Sequence, residues 1–253
     1  MTVWNPCRGL PFGLKGGVPW DVSEVPSGKA CGCVCCGCGG ALIAKKGEKL
    51  RHHFAHDSGA DCIGGLETSV HAAAKHALQI TKRLMLPGAG DLYQLRQQPD
   101  WLRYANRPAA TASWLFPAAL REFREIDPER SFVVERINQR VRPDATCDGT
   151  LLVEFYVSNK VDEQKRQWLI ELGLDCVELD LRPFIDDWLG GMRNEDATPA
   201  IRHLEEFLHG TEDHRSWLHE TRVAQWLTEN RIPDYPSASG SQLNLFPDQP
   251  RYR

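Results

Sequence analysis

Hydrophobic positions change period along the chain, and the clearest stretch lies between residues 131 and 182. SFVVERI (131–137), the segment around Arg142-Pro143-Asp144 and LLVEFYV (151–157) are short runs rich in β-branched and aromatic residues, which predicts three strands. DEQKRQWLIELG (162–173) follows with helical spacing and a closing Gly173, and DCVELDL (175–181) reads as a buried strand. Upstream, LETSVHAAAKHALQITKRLML (66–86) predicts a long helix that Pro87-Gly88 stops. Downstream, helices are predicted over 198–209 and 213–230. Helix, three strands, helix, strand makes an α/β chain with a mixed sheet, because two strands joined through a helix pair in parallel.

The remaining segments lack such periods. Residues 1–30 read as loop and short strand, and 31–63 as tight turns around ALIAKKGEKLRHHF, a strand, a Lys-Gly turn and a second strand. Between 88 and 130, Trp101 and Trp114 mark something packed while Pro108 and Pro117 interrupt it. From Pro233 the Ser, Gly and Pro content is that of a disordered extension.

Composition narrows the class. With 253 residues, 42% hydrophobic, and 30 Lys/Arg against 34 Asp/Glu, the chain has the makeup of one or two globular domains. No apolar run approaches the roughly 20 residues of a spanning helix, so no membrane partner is expected. MTVWNPCRGLPFGLKGG lacks the basic-then-apolar order of a secretory signal, so a cytoplasmic location is expected. The net charge of −4 hides a gradient: residues 1–90 carry 10 Lys/Arg against 6 Asp/Glu, and residues 184–253 carry 7 against 12. A weakly basic front suits contact with phosphates, and equally a solvated face.

Six of the nine cysteines (31, 33, 35, 36, 38 and 62) lie within 32 residues, which in a reducing compartment points to metal rather than disulfides. Tetrahedral zinc takes four soft or borderline ligands from two tight turns. ACGCVCCGCGG offers Cys33-x2-Cys36 and Cys35-x2-Cys38, and Gly39-Gly40 favours Cys35 and Cys38. RHHFAHDSGADC supplies His53 with His56, or His56 with Cys62, so five candidates compete for four positions. No glutamate is spaced as the base of a zinc hydrolase, which makes the zinc structural.

Two further constellations carry chemistry. On the helix from 66, Glu67, His71 and Lys75 follow one another by four residues, each step turning only about 40°, beside an apolar stripe of Val70, Ala74, Ala77 and Leu78. In LLVEFYV, Glu154 shares a face with Leu152 and Tyr156, and a carboxylate in so apolar a strand needs a partner or a cation. Asp144 begins the preceding strand, and two carboxylates from neighbouring strands make a Mg²⁺ site that activates a hydrolytic water. A two-residue Asp148-Gly149 loop would set Asp144 against Val153 and send the carboxylates to opposite faces. A three-residue Cys147-Asp148-Gly149 loop with a left-handed Gly149 would set Asp144 against Leu152, with Glu154 diagonal on the same face.

ProAsp, a hairpin and then this glutamate resemble the PD-(D/E)XK nuclease superfamily, whose core has the order αβββαβ found over 66–182. More narrowly, CxxCGG, KKG, HHFAH, ETxxH and a lysine, followed by RPD and VEFYVSNKVDEQK, resemble the competence protein CoiA-like family over about residues 30–182. The resemblance implies a zinc-ribbon-like segment (1–65), a nuclease-like domain (66–185), a helical appendage (186–232) and a tail (233–253). It implies that Asp144 and Glu154 bind catalytic Mg²⁺, that Glu67 assists, and that His71 and Lys75 contact phosphate or metal-bound water in DNA. The superfamily's lysine two residues after the glutamate is Tyr156 here, and a phenol cannot replace an ammonium beside a developing phosphorane. Lys165 in the following helix is the substitute expected, with Lys160 and Lys75 as alternatives.

In the tail, Gln242, Leu243, Leu245 and Phe246 (QLNLF) resemble the pentapeptide that binds the bacterial sliding clamp. Three readings follow: a Mg²⁺-dependent DNA nuclease, a non-catalytic DNA-binding adaptor recruited by the clamp, and an HNH-type nuclease built on HHFAH.

Overall fold

The computed structural model describes residues 9–59, 62–88, 124–126, 129, 131–134, 141–158, 160–190, 198–210 and 214–229. Trp101, Trp114, the tail and its QLNLF segment lie outside the described residues.

The front of the chain forms two hairpins. Strands β1 (Phe12–Lys15) and β2 (Val18–Asp21) pair antiparallel, as do β3 (Leu42–Lys45) and β4 (His53–His56). The backbone pair Leu10–Phe54 joins the hairpins, Leu14–Val34 ties β1 to the segment between them, and Phe12, Leu42, Ala44 and Phe54 are buried. The strand, Lys-Gly turn and strand expected over 41–54 is present. Helix α1 (Gly65–Thr81) follows, burying Leu66, Val70, Ala73, Ala74, Ala77 and Leu78.

The central sheet has five strands in the spatial order Arg215–His219 (β11), Asp175–Asp180 (β10), Leu151–Tyr156 (β9), Ala145–Cys147 (β8) and Phe132–Val134 (β7). β7 (Phe132–Val134), β8 (Ala145–Cys147) and β9 (Leu151–Tyr156) form an antiparallel meander, and β10 (Asp175–Asp180) runs parallel to β9. The parallel step needs a crossover, which α2 (Glu163–Leu172) supplies, N-capped by Asp162 and ended by a left-handed Gly173. β9 is apolar along both faces because both are covered. Leu151, Val153 and Phe155 join one cluster with α1, the front hairpins, α3 (Arg182–Gly190) and α4 (Ala200–His209), while Leu152, Cys176 and Leu218 pack with Leu169 of α2. The mixed α/β architecture with a mixed sheet is the one expected. Among the described residues no helix is long and apolar enough to cross a membrane.

Three local expectations are corrected. Helix α1 ends at Thr81 with Lys82 left-handed, not at Pro87-Gly88, because Met85–Leu86 (β5) pairs with Arg124–Glu125 (β6). The helix expected over 213–230 begins instead as strand β11 (Arg215–His219), antiparallel to β10, and only Thr221–Glu229 is helical (α5). Asp175 Oδ1 accepts hydrogen bonds from the Thr221 N–H (2.6 Å) and hydroxyl (2.7 Å), so a residue of β10 sets where α5 starts. Arg215, buried in β11, donates to the carbonyls of Met85, Phe207 and Leu208, which compensates its charge. The third correction is the β8–β9 register: Cys147 pairs with Leu151, so the loop is Asp148-Gly149-Thr150. Asp148 and Gly149 are both left-handed, at φ 49° and 73°. This is neither of the two expected registers. Continued beyond Ala145–Val153, it sets Asp144 across from Glu154 itself.

Candidate functional site

Two centres flank α1. At its N-terminus, one ligand atom each from Cys35, Cys38, His56 and Cys62 lie within 4.8 Å of one another. Cys35 Sγ is 3.8 Å from Cys62 Sγ, and Cys38 Sγ is 3.3 Å from His56 Nε2. Tetrahedral zinc, with Zn–S of about 2.3 Å and Zn–N of about 2.0 Å, requires edges of about 3.5–3.8 Å, so the donor set fits. The Gly37 and Gly40 N–H groups donate to the sulfurs of Cys35 and Cys38, both at 3.4 Å. The Gly40 bond leads the effects that lower the Cys38 thiol to about 7, whereas burial pushes Cys62 up to about 12. A cation shared among these thiols resolves that conflict by stabilising all three as thiolates.

His53 is the spectator of the five candidates. Residues three apart on a strand point to opposite faces, so β4 turns His53 away from His56. The His53 Nδ1 lies 2.8 Å from the Arg51 carbonyl, and the ring fills the space over Gly9. The same geometry splits HHFAH as a single nuclease site. Gly65, the first residue of α1, packs directly against the cluster: a Cβ there would lie 3.0 Å from Cys62 Sγ and 3.4 Å from Cys35 Sγ.

The second centre is a row of carboxylates across the sheet. Glu154 of β9 pairs in register with Glu178 of β10, both on the face covered by α2, and Asp144 lies on Glu154's other side. Glu154 and Glu178 are 6% and 4% exposed, enough burial to make an uncompensated charge costly. Burial raises the Glu154 carboxyl to about 7, with Lys165 opposing and the charges of Asp144 and Glu178 adding. Glu178 is raised too, mainly by burial, while its Oε1 accepts the Val161 N–H at 3.0 Å.

Lysines from two helices meet this row. Lys165 Nζ lies 2.6 Å from Glu154 Oε1 and donates to the Arg142 carbonyl at 3.2 Å. The contact with Oε1 is a close ion pair, and it opposes the rise of the Glu154 carboxyl. Lys75 Nζ lies 2.8 Å from Asp144 Oδ1, and His71 Nδ1 stands 3.9 Å from the same oxygen. Asp144 Oδ2 accepts the Phe155 N–H at 2.8 Å. Burial lowers the His71 imidazole, with Asp144 opposing, and its Nε2 is buried without a hydrogen bond among the described residues. Glu67 is held elsewhere: both its oxygens accept from the Ser158 hydroxyl at 2.9 Å, at the end of β9. Asp144, Glu154, Lys165, Lys75 and His71 are therefore brought together, with Glu67 at their margin.

Residues 20–63 match the family model described as the competence protein CoiA, N-terminal domain. The match covers the end of β2, strands β3 and β4 and all four residues of the Cys/His cluster, and stops before α1 and the carboxylates. No curated protein and no solved structure matches the chain. Glu178 was not singled out from sequence, although ValGluLeu at 177–179 repeats the ValGluPhe pattern of 153–155, a lone carboxylate in a buried strand.

Proposed function

We propose that this protein is a Mg²⁺-dependent DNA nuclease of the competence CoiA-like type, acting in DNA recombination, repair or uptake in the cytoplasm, with zinc as a structural ion. The observation that carries the reading is Glu154, a buried carboxyl raised to about 7, set between Asp144 and Glu178 and met by Lys165. Buried carboxylates perturbed by desolvation beside a specific cation are candidates for a working site. The Glu154 carboxylate, set across from Asp144 and balanced by Lys165, suits a hard cation held jointly with Asp144. Bound there, Mg²⁺ supplies Lewis-acid stabilisation and an activated water.

The chain's own residues supply the rest. Lys165, on α2 rather than at position 156 and 2.6 Å from Glu154 Oε1, would supply the ammonium that stabilises a developing phosphorane. Lys75 and His71 hold Asp144 from α1, and Glu67 stands ready at the end of β9. Purified zinc-loaded protein, given Mg²⁺ or Mn²⁺ and single- or double-stranded DNA, tests the proposal. Cleavage abolished by Glu154→Ala and retained by Cys147→Ala supports it; equal residual cleavage in both indicates a contaminating nuclease. Tyr156 in the usual lysine position favours a second reading, a non-catalytic DNA-binding adaptor recruited to the sliding clamp by Gln242, Leu243, Leu245 and Phe246. Binding without cleavage under all these conditions would select it.

A further inference from the structure

Glu178 lies buried within β10, where a carboxyl is costly unless it is bonded. Its register partners are Glu154 on β9 and, on β11, the uncharged Ser216. From the α2 side its Oε1 accepts the Val161 N–H at 3.0 Å. Burial opposes the Glu178 charge most, and Asp180 adds to that, while the Val161 N–H, Lys160 and Lys165 favour it. Val161 stands directly before Asp162, the N-cap of α2, whose Oδ1 accepts the Lys165 N–H at 2.7 Å. Lys165 lies one helical turn beyond Val161, and its Nζ meets Glu154 Oε1 at 2.6 Å. Two neighbouring carboxylates of the sheet therefore grip the same stretch of chain, Glu178 by its backbone and Glu154 by its lysine.

A lysine two residues after Glu154 would be placed by β9 itself, but that position is Tyr156. A lysine carried on the crossover helix is placed only as well as the helix is seated. The Asp162 cap shapes the first turn of α2 without tying it to the sheet. Leu169, one turn further on, packs with Leu152, Cys176 and Leu218, a contact that has no direction. The bond from Val161 to the Glu178 carboxylate is directional and charge-assisted. We propose that Glu178 is a positioning residue for Lys165: by holding the Val161 N–H it sets the start of α2 so that the ammonium meets Glu154. Glu178 acts on the reaction only through that lysine. The effect on cleavage rests on the reading of this protein as a nuclease; the placement of Lys165 does not.

The test is acetylation of the zinc-loaded full chain with dilute acetic anhydride, followed lysine by lysine by mass spectrometry. Glu178→Gln and Glu178→Leu both remove the charge, and only glutamine keeps an oxygen for the Val161 N–H, so comparing them isolates the hydrogen bond. Lys165 should react about 5-fold or more faster in Glu178→Leu than in Glu178→Gln. Lys75, paired with Asp144 from α1, should react alike in both. Equal Lys165 rates overturn the positioning role. A rise that Lys75 shares also overturns it, because Glu178 would then serve the stability of the whole chain. With Mg²⁺ and DNA supplied, Glu178→Leu should lower kcat about 10-fold or more at a nearly unchanged KM, and Glu178→Gln should restore it. A wild type that cleaves no better than Glu178→Leu overturns the role as well. If the wild type never cleaves, the nuclease reading falls, and the acetylation rates still decide what Glu178 does.

Discussion

Replacing the Glu154 carboxyl with the amide of glutamine should flatten the dependence of stability on pH. In the folded chain this carboxyl is raised to about 7 from an ordinary 4.5, with burial as the leading cause. A folded value above the unfolded one means the group's contribution is complete below about 4.5, erodes as pH rises, and reaches its floor above about 7. The interval from 4.5 to about 7, at about 1.4 kcal/mol per pH unit, corresponds to about 3 kcal/mol, of which about 2.5 kcal/mol is lost between pH 5 and 8. The side chain is 8% exposed, so solvent screens little of this. Urea titrations at pH 5, 6, 7 and 8, with zinc present and no other divalent ion, measure it. The wild-type protein should lose about 2.5 kcal/mol relative to Glu154→Gln over that range. Glu178, raised in the same sense, titrates in both proteins, so the difference isolates the part that depends on the Glu154 carboxyl, its coupling to Glu178 included. A difference that is constant with pH, or one that grows in favour of the wild type as pH rises, would refute the reasoning. On the proposed function, Mg²⁺ should remove the slope in the wild type only.

Three further outcomes are expected. Metal analysis should find zinc lost from His56→Ala and Cys62→Ser, with a lowered melting temperature, but retained by His53→Ala; Gly65→Ala, whose methyl would press on Cys62 Sγ, should weaken zinc binding and cost about 1–3 kcal/mol. Lys165→Met should reduce cleavage about 100-fold or more, while Tyr156→Lys should not raise it, since Lys165 already meets Glu154 and a third cation would face Lys160 and Arg182. Leu245→Ala with Phe246→Ala should abolish co-migration with sliding clamp at an unchanged melting temperature, and a fall in that temperature would instead indicate docking onto the body of the protein.

Much of the scaffold was legible because it is local. The 3.6-residue period of α1, the Asp162 cap and Gly173 closure of α2, and the buried run of β10 all depend on residues a few positions apart. The same holds for the Cys35–Cys38 knuckle, whose Gly40 N–H bonds back to sulfur two residues away. Strand β11 was not legible. Nothing between His219 and Thr221 breaks a helix locally, and the cap that starts α5 comes from Asp175, 46 residues earlier. Buried Arg215 likewise takes its partners from α4 and the β5 segment.

At the two centres, the sequence by itself determined the chemical types: soft ligands at the front, and a carboxylate in an apolar strand a hundred residues on. Tertiary structure decided which of them meet. It excluded His53 because β4 turns that ring to the face opposite His56, and it brought Cys62 to Cys35 across 27 positions. It also set Asp144 opposite Glu154, a register one residue from the first expectation and two from the second. Register and reach depend on how distant elements pack, whereas a residue's type and its local period do not.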